Sequence, residues 1–367
     1  MDIHQILLKY WGYNQFRPLQ EDIISSVLEG KDTLALLPTG GGKSICFQVP
    51  AMSKDGICIV ISPLIALMKD QVENLVKRGI KAIAIYSGMT NREIDVALDN
   101  CVYGDFKFLY VSPERIETEI FRERLKKMNV NLFAIDESHC ISQWGYDFRP
   151  SYLNIAHLRE LKPDIPFLAL TATATPEVVK DIQHQLKFKE ENVLQKSFER
   201  KNIAYVVVQE EDKLNRLLKI LNKIKGTSVV YVGTRKRTQE IAQFLHKNGV
   251  SADYYHAGLT NEQRNIKQSN WIENRTRVIV STNAFGMGID KPDVRSVVHL
   301  DLPASLEAYF QEAGRAGRDE QKAYAILLVE GADRLNLESQ IISSFPELDT
   351  IKQVYQALAN YFQIPIG

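Results

Sequence analysis

The sequence lacks several features that would place it in a specialised class of proteins. Its 367 residues contain 45 basic and 45 acidic residues, so the formal net charge is zero. This balance excludes a uniformly basic protein that coats nucleic acid, although basic groups concentrated in one groove remain compatible with it. No run of about 18 apolar residues occurs, so no membrane span is predicted. Residues 1–21 carry charges throughout, unlike a signal peptide.

Cysteine is scarce, with four residues in the whole chain: Cys46, Cys58, Cys101 and Cys140. None lies within three positions of another, so there is no C-x-x-C motif for zinc. No disulfide framework is indicated, and we expect buried free thiols, as in a reducing cytoplasm. Without a C-x-x-C motif, we predict no zinc site in this chain.

Short apolar runs alternate with segments of helical spacing, and this alternation occurs twice. Runs that are apolar almost throughout favour strands of a parallel sheet covered on both faces. The pattern predicts two consecutive doubly wound α/β domains. The candidate strands are Thr33–Pro38, Ile57–Ser62, Ala82–Tyr86, Phe106–Ser112, Leu132–Asp136 and Phe167–Thr171, then Ser228–Val232, Ala252–Tyr255, Val278–Thr282, Val297–Leu300 and Ala323–Val329. Candidate helices include Leu64–Arg78, Pro176–Leu186, Arg235–Asn248 and Ser305–Ala313.

The join between the domains is predicted in the charge-rich segment Gln195–Leu214. We place the first domain at residues 1–204 and the second at residues 205–334. Residues 335–367 are predicted to form two helices separated at Phe345-Pro346. We interpret this helical extension as the start of a further C-terminal module that continues beyond the given sequence.

The segment from Leu37 to Ser44 has the pattern of a phosphate-binding loop. It lies between an apolar run and a segment predicted to be helical, as such a loop requires. Glycines at 40–42 allow backbone N–H groups to surround phosphate oxygens, and the helix N-terminus adds partial positive charge. Lys43 can reach the β- and γ-phosphates, and the Ser44 hydroxyl can bind Mg²⁺. Leu37 replaces the usual first glycine, and a plain glycine turn is the alternative.

Two adjacent carboxylates follow another apolar run. Asp136 and Glu137 stand at the carboxyl end of a predicted strand, where open α/β sheets bind ligands. Asp136 would hold Mg²⁺ through water, and Glu137 would orient or deprotonate an attacking water. The alternative is a solvated Asp-Glu pair that only ends a strand.

Two arginines three residues apart, Arg315 and Arg318, are flanked by glycines. A guanidinium is a rigid, permanently charged fork suited to phosphate. Such a group can stabilise the charge that develops on a γ-phosphoryl group during transfer. We do not rank the two arginines, and a basic surface turn is the alternative.

Aromatic side chains crowd into the segment after the carboxylates. Trp144, Tyr146, Phe148 and Tyr152 lie close to Arg149 in a loop with glycine and proline. Aromatic faces stack on unpaired bases, and an arginine among them can contact phosphate. The alternative is a small apolar cluster under a loop. His139, between the carboxylates and this loop, is a candidate to couple nucleotide state to DNA contact, or a structural histidine.

These motifs together resemble the catalytic core of the RecQ-family helicases, a branch of helicase superfamily 2. The resemblance covers roughly residues 4–332 and rests on many motifs in the correct order. In the family's nomenclature they are motif 0 at Gly12–Gln20, motif I at Pro38–Ser44, motif Ia at Ile61–Leu67, motif II at Asp136–His139, the aromatic-rich loop at Trp144–Pro150, motif III at Leu170–Thr175, motif IV at Val229–Arg235, motif V at Ser281–Lys291 and motif VI at Gln311–Arg318.

The resemblance implies two tandem RecA-like domains and an ATP-dependent DNA helicase that moves 3′-to-5′ on single-stranded DNA and unwinds duplex DNA in repair or recombination. It implies ATP and Mg²⁺ as cofactors, a monomer, and a bacterial cytoplasm or nucleoid as location. The nucleotide-binding residues would be Tyr13, Arg17, Gln20, Thr39, Gly40, Gly41, Gly42, Lys43, Ser44, Asp290 and Gln311, and the DNA-binding residues Ser62, His139, Trp144, Phe148, Arg149 and Thr282.

Two other functions stay open on the sequence alone. One is an RNA helicase of the same superfamily, which the spacing of motif 0 and the Trp144 loop argue against. The other is a nucleotide-gated binding protein without productive hydrolysis, which the intact Glu137 and the arginine pair argue against. The cysteine-rich zinc module that follows the second domain in many family members is not expected here.

Overall fold

The computed structural model of the protein describes residues 2–38, 40–145, 147–285 and 291–362. The chain forms two compact units. The first comprises Met1–Ile203 with the returning segments Ala284–Val294 and Ser305–Ala323. The second comprises Ala204–Asn283, Arg295–Ala304 and Tyr324–Gly367.

A seven-stranded sheet forms the centre of the first unit, in the order β3-β4-β2-β5-β6-β1-β7. All six neighbouring pairs are parallel; for example, Ala35 of β1 is opposite Leu170 of β6. Parallel pairing brings the carboxyl ends of the strands to one edge. The strands are β1 (Thr33–Leu36), β2 (Ile57–Ile61), β3 (Ala82–Ile85), β4 (Phe108–Val111), β5 (Val130–Ile135), β6 (Phe167–Thr171) and β7 (Val193–Gln195).

Both faces of this sheet are buried, which explains why its strands are apolar at nearly every position. Alternate residues point to opposite faces. Leu34, Leu36 and Phe133 belong to one apolar cluster, whereas Ala35 and Leu132 belong to the other. Each face is covered by helices that follow the strands in the chain, as the doubly wound arrangement requires.

A six-stranded sheet is associated with the second unit, in the order β10-β11-β9-β12-β13-β8. The pairs β10–β11, β11–β9 and β12–β13 are parallel. Its apolar cluster includes Val230, Val280 and Val298 from three strands and Leu217 and Leu245 from two helices. The strands are β8 (Ile203–Gln209), β9 (Thr227–Tyr231), β10 (Ala252–Tyr255), β11 (Val278–Ser281), β12 (Val294–His299) and β13 (Ala323–Val329).

The helices begin where the sequence offers caps. Thr90 and Thr260 form capping boxes at α5 and α11, and Thr175 caps α8, whose first residue is proline. The helices are α1 (Ile3–Trp11), α2 (Gln20–Leu28), α3 (Lys43–Ser53), α4 (Ile65–Lys77), α5 (Asn91–Tyr103), α6 (Glu119–Lys127), α7 (Leu158–Leu161), α8 (Pro176–Gln185), α9 (Lys213–Lys223), α10 (Arg235–Lys247), α11 (Asn261–Ile272), α12 (Leu306–Ala313), α13 (Gly331–Ser344) and α14 (Leu348–Phe362).

The predicted fold class, two parallel-sheet α/β domains with a helical C-terminal end, is confirmed. Every predicted strand is present within two or three residues of its predicted ends. Two strands, Val193–Gln195 and Ile203–Gln209, were not predicted. The four cysteines are buried free thiols, as expected. Within the described part of the chain, no helix has the length and apolar character needed to cross a membrane.

Candidate nucleotide-binding site

The carboxyl edge of the first sheet gathers four motifs. The glycine loop follows β1, Ser62 follows β2, Asp136 follows β5, and Thr171 ends β6. Since β1, β6, β5 and β2 are consecutive neighbours in the sheet, these positions lie side by side. The distant motifs of the sequence therefore meet because of the strand order, as ligand sites do in open parallel sheets.

The glycine loop has the backbone that its sequence predicts. Gly40 and Gly42 have φ angles of 80° and 77°, a region that glycine adopts at little cost. A Cβ on Gly42 would lie 2.3 Å from the side-chain nitrogen of Gln20, so a larger residue there would displace the Gln20 amide. Helix α3 begins at Lys43 directly after this turn. The first N–H groups of α3 therefore face the mouth of the loop, where an anion is favoured.

Residues of motif 0 hold the glycine loop in this structure. Gln20 is almost fully buried, and its amide donates hydrogen bonds to the carbonyls of Gly42 (3.0 Å) and Gly41 (3.3 Å). The Gln20 side-chain oxygen accepts from the backbone N–H of Arg17 at 2.9 Å. The Arg17 guanidinium donates to the carbonyl of Gly40. Contacts of Gln20 and Arg17 with a nucleotide base stay a prediction. In the structure, both side chains hydrogen-bond to carbonyls of the glycine loop and hold its shape.

Three charged side chains meet behind the loop. Lys43 Nζ lies 3.6 Å from Oε1 of Glu137, and both side chains are more than four-fifths buried. The backbone N–H of Glu137 donates to the Asp136 carboxylate at 3.0 Å. Glu137 has a left-handed backbone with φ 48°, which costs a residue other than glycine about 1 kcal/mol or more. This turn directs the two adjacent carboxylates into the same small region.

The two carboxylates differ in acidity. Burial, and then the charge of Glu137, raises the pKa of Asp136 to about 6. Burial acts on Glu137 in the same direction, but the charges of Lys43, His139 and Arg315 and the hydrogen bond with Lys43 together outweigh it and lower the pKa of Glu137 below its ordinary value. Glu137 is therefore the member of the pair that stays ionised most readily. A carboxylate that is charged at neutral pH can accept a proton from water.

The arginines of motif VI reach this region within the first compact unit. Arg315 is almost completely buried, its charge contributes to the lowered pKa of Glu137, and its Nε has no hydrogen-bonding partner among the described residues. Arg318 packs against the glycine loop, since a Cβ on Gly40 would lie 3.1 Å from its Cγ. Both guanidinium groups thus lie where phosphate charge is expected.

A cavity of about 750 Å³ joins these groups. This volume is within the range of ligand pockets, about 300–1,000 Å³. Twelve of the predicted nucleotide-binding and catalytic residues line it: Tyr13, Arg17, Gln20, Gly40, Gly42, Lys43, Ser44, Asp136, Glu137, Gln311, Arg315 and Arg318. Thr39 and Asp290 lie outside the described residues, and Gly41 is not among the lining residues.

Several lining residues were not singled out from the sequence. Gln71, Asn74 and Arg78 come from α4 and its C-terminal cap, and Trp11 comes from the end of α1. The spacing of three and four residues puts the α4 positions on one face of the helix. That polar face could have been recognised in the sequence, but nothing there indicated that it faces the glycine loop.

The aromatic segment is only partly exposed. Trp144 is 78% exposed, unusual for a tryptophan, whereas Phe148 is half-buried. Arg149 is held in place, because it pairs with Asp147 (3.1 Å) and donates to the carbonyl of Pro63 (3.2 Å). Tyr146 lies outside the described residues. Trp144 is therefore the described side chain of this segment best placed to meet a ligand from solution.

The other predicted DNA-binding residues have different surroundings. His139 and Ser62 are each 1% exposed. His139 Nδ1 lies 2.9 Å from Thr171 Oγ1 and 3.5 Å from Oε2 of Glu137, so it links motif II with motif III. Burial lowers the pKa of His139, which favours the neutral ring. Thr282 is half-buried in the second unit. Direct DNA contacts of these side chains stay a prediction.

Comparison with protein-family models gives the class of protein. Residues 17–182 match the model described as DEAD/DEAH box helicase. Residues 212–320 match the model described as helicase conserved C-terminal domain. The first match contains the glycine loop and the carboxylate pair, and the second contains both arginines. The site therefore occurs in a chain with the two domain models of a helicase core.

Curated relatives then define the family. A protein named "Probable ATP-dependent DNA helicase RecS" from Bacillus subtilis is 43% identical over 344 residues, which are 93% of this chain and 69% of RecS. The ATP-dependent DNA helicase RecQ of the same organism is 45% identical over 332 residues, 89% of this chain and 56% of RecQ. The chain belongs to the RecQ family of ATP-dependent DNA helicases, and it spans about half to two thirds of these relatives.

Solved structures show the same fold at low identity. S. cerevisiae Dbp5 bound to RNA and ADP BeF3 has a TM-score of 0.70 and 19% identity, covering 97% of both chains. The Mycobacterium smegmatis helicase Lhr bound to ssDNA and AMP-PNP has a TM-score of 0.71 and 18% identity, covering 89% of this chain and 47% of Lhr. The predicted pair of RecA-like domains is confirmed at the level of the fold.

Proposed function

We propose that this chain is the motor of a RecQ-type DNA helicase, in which ATP hydrolysis drives 3′-to-5′ movement along single-stranded DNA and separation of duplex DNA during repair or recombination. The observation that carries the proposal is the cavity lined by Lys43, Ser44, the two carboxylates of motif II and the two arginines of motif VI. These are the groups that phosphoryl transfer requires: a phosphate cradle, a base and cations for the developing charge.

The parts of the chain have separate roles in this proposal. Residues 1–204 are the ATP-binding domain and residues 205–334 the helicase C-terminal domain. Residues 335–367 are a helical extension that leads towards a further module. We propose a monomer that acts in the cytoplasm on single-stranded and duplex DNA.

Lys43 and Glu137 would exchange partners when ATP binds. In the structure they face each other at 3.6 Å. A triphosphate in the glycine loop attracts the Lys43 ammonium more strongly than one carboxylate does, because it carries several negative charges. Glu137 then loses its counter-charge and becomes available to orient a water molecule and accept its proton. Arg315 and Arg318 would stabilise the charge on the transferred group.

The donor set fits Mg²⁺ as the metal that accompanies ATP. Ser44 supplies a hydroxyl beside the phosphate loop, and Asp136 a carboxylate whose pKa is raised by burial and then by the like charge of Glu137. A divalent cation is bound by such oxygen ligands and relieves the repulsion between the carboxylates. Ser44 directly and Asp136 through water would hold Mg²⁺, which when bound neutralises phosphate charge.

Contact with single-stranded DNA is assigned to the edge of the sheet beside the cavity. Ser62 and the Trp144 segment follow neighbouring strands there, and the exposed Trp144 ring offers a surface on which a base can stack. Thr282 would contact DNA from the second unit. His139, placed between Glu137 and Thr171, would transmit the state of the nucleotide to the segment that contacts DNA.

ATP hydrolysis by Lys43→Ala tests this proposal. We expect single-stranded DNA to stimulate phosphate release by the unaltered chain strongly, and Lys43→Ala to lose about 10²-fold or more of that activity, since a phosphate clamp is removed. Lys31→Ala, at an exposed lysine paired only with Glu29, is the matched control and should retain activity.

Three results would contradict the proposal. If DNA gives no stimulation although ATP is hydrolysed, the coupling to DNA is wrong. If no phosphate is released under any condition while ATP binds, the chain is a nucleotide-gated binding protein. Stimulation by RNA but not by DNA would identify the RNA helicase alternative.

A further inference from the structure

Three potential metal ligands lie together behind the aromatic segment. His139 Nε2 is 3.8 Å from Cys140 Sγ, and Cys140 Sγ is 3.7 Å from Oδ2 of Asp147. One ligand atom from each residue lies within 4.8 Å of the other two. His139 and Cys140 are buried, whereas the Asp147 side chain is 31% exposed. The phosphate-transfer chemistry proposed above uses neither Cys140 nor Asp147.

The hydrogen bonds around His139 fix which ring nitrogen carries the proton. The Thr171 hydroxyl donates its one proton to the carbonyl of Thr173 at 3.1 Å, so it accepts from His139 Nδ1 at 2.9 Å. The Glu137 carboxylate, 3.5 Å from Nδ1, also favours a proton there. In the neutral ring the lone pair is therefore on Nε2, the nitrogen that faces Cys140. A histidine that binds a metal usually donates its other N–H in this manner.

The loop backbone brings Asp147 to the two buried ligands. The N–H of Arg149 donates to the carbonyl of Cys140 at 2.8 Å, which closes the loop between them. This closure puts Asp147 above the Cys140 thiol. Because the Asp147 side chain is partly exposed, an ion from solution can reach the three ligands past Asp147. The Arg149 guanidinium, 3.1 Å from Asp147 Oδ2, competes with a cation for this carboxylate and limits the affinity.

We propose that His139, Cys140 and Asp147 form a binding site for a thiophilic divalent cation, Zn²⁺ or Cd²⁺, with a water as fourth ligand. Imidazole nitrogen, thiolate sulfur and carboxylate oxygen are the ligands that Zn²⁺ selects. In a tetrahedral site with ordinary bond lengths, sulfur and a nitrogen or oxygen ligand are separated by about 3.5 Å. The two observed separations from sulfur need to shorten by only a few tenths of an ångström, and the ligand atoms of His139 and Asp147 lie within 4.8 Å of each other.

Binding of the metal ion replaces the thiol proton of Cys140 and restrains the loop that carries Asp147. The S–H bond of Cys140 breaks, its proton goes to solvent, and a metal–sulfur bond forms, with no change of oxidation state. The ion would tie Asp147, in the loop that carries Trp144, to His139, which is in contact with Glu137 and Thr171. A loop fixed in this way cannot rearrange around DNA. The site is thus an inhibitory one, and it departs from our expectation that the chain holds no zinc.

The site is tested first by binding, without ATP, DNA or Mg²⁺. Cd²⁺ is titrated into the metal-free chain, and the ultraviolet charge-transfer absorbance of the cadmium–thiolate bond is recorded. Equilibrium dialysis with Zn²⁺ gives the stoichiometry. We expect one ion per chain and the thiolate band, both lost in Cys140→Ser, and affinity weakened by about tenfold or more in Asp147→Asn. Cys101→Ser, at another buried free thiol, should bind as the unaltered chain does.

The site is rejected if the unaltered chain shows no thiolate band, if Cys140→Ser retains it, or if Asp147→Asn binds with unchanged affinity. Asp147→Asn keeps the test decisive should Cys140→Ser fold poorly, because Asp147 is partly exposed.

The inhibitory effect rests on the proposed function and is measured separately, as loss of DNA-stimulated but not basal ATPase on adding Zn²⁺. Inhibition that persists in Asp147→Asn would show Zn²⁺ acting elsewhere, such as in place of Mg²⁺, and overturn the inhibitory role. Binding remains measurable even in a chain without helicase activity.

Discussion

Individual residues of the nucleotide site are kept in arrangements that cost stability. Asp136 and Glu137 bring two carboxyl groups into one buried corner, and Glu137 has a left-handed backbone. Lys43 lies 3.6 Å from Glu137 and also lowers the pKa of Asp136, but not enough to offset burial and the charge of Glu137. Arrangements of this kind are typical of functional sites, where a local penalty is retained because the chemistry requires it.

The acidity of Asp136 gives a prediction with a definite sign. Its pKa is raised from 3.8 to about 6, so between these pH values the folded chain binds a proton that the unfolded chain has released. Stability therefore falls as pH rises through this window, and the penalty is complete above it. Without Mg²⁺ at about pH 7.5, we expect Asp136→Asn to raise the free energy of unfolding by on the order of 2 kcal/mol while abolishing ATPase activity.

Thermal unfolding at several pH values measures this effect. The stabilisation by Asp136→Asn should shrink towards zero near pH 4, about the ordinary pKa of an aspartate, because Asp136 is then protonated in both states. Asp105→Asn is the matched control, since the Asp105 side chain is 98% exposed. A gain of equal size in the control, or one that is independent of pH, would contradict the explanation.

At the scale of elements, a short helix supports the end of β5. Tyr152, fully buried in the 3₁₀ helix Pro150–His157, donates its hydroxyl proton to the backbone carbonyl of Asp136 at 2.9 Å. The hydrogen bond joins the end of the aromatic segment to the residue that precedes Glu137. Tyr152 is thus a positioning residue: it touches the backbone of the site and not the substrate.

Tyr152→Phe removes this hydrogen bond and little else. We expect a loss of about 1 kcal/mol in stability, and a fall in kcat of about three- to tenfold with a smaller change in KM, because the carboxylates are displaced from their working positions. Tyr110→Phe is the matched control, since Tyr110 is also buried and its hydroxyl accepts a hydrogen bond from the amide of Gln48 at 3.4 Å. If Tyr152→Phe and Tyr110→Phe lose the same factor in kcat, the hydroxyl of Tyr152 does not position the carboxylates.

The aromatic segment offers a prediction that separates DNA contact from folding. Trp144 is 78% exposed, so Trp144→Ala should leave the melting temperature nearly unchanged. We expect weaker binding of single-stranded DNA, by about 1–3 kcal/mol if the ring stacks on a base, and loss of DNA stimulation, with ATP affinity unaltered. Tyr103→Ala, at an equally exposed ring on α5, is the control for DNA binding and ATPase assays. An equal loss of ATP affinity would indicate a packing role for Trp144.

The sequence predicted most strands correctly, but it did not predict the tertiary contacts between side chains of different elements. The strands of the first sheet were predictable because both faces are buried, which leaves continuous apolar runs such as Ile57–Ile61. Strand Ile203–Gln209 was missed because most of its residues are exposed and stand in a charged segment. The glycine loop, the carboxylate pair and the two arginines were predicted from residue types and spacing, whereas Tyr13, Arg17 and Gln20 were predicted from the family resemblance. The hold of Gln20 on the glycine loop was not predictable, since it depends on how α2 packs beside α3.

At the scale of the whole molecule, the C-terminal extension differs from the rest in its surface. The described large apolar residues of α14 are at least half exposed: Leu348, Ile351, Val354, Tyr355, Leu358 and Tyr361. Its neighbour α13 is nevertheless attached to the second unit by one buried ion pair. Lys213 Nζ lies 2.6 Å from Oδ2 of Asp333 and 2.7 Å from the carbonyl of Leu300.

This ion pair yields a prediction about how α13 is held. Both side chains are more than nine-tenths buried, so Asp333→Ala would leave the Lys213 ammonium with Glu330, a partly exposed carboxylate at 3.6 Å, and should destabilise the second unit by about 3 kcal/mol. The double variant Lys213→Met with Asp333→Leu should recover much of this loss, because apolar groups of similar volume replace the whole pair. Arg334→Ala, at an exposed pair with Glu338, should change stability by less than about 1 kcal/mol. Urea unfolding and hydrogen exchange in α13 measure these differences, and equal effects of Asp333→Ala and Arg334→Ala would show that the pair does not anchor the helix.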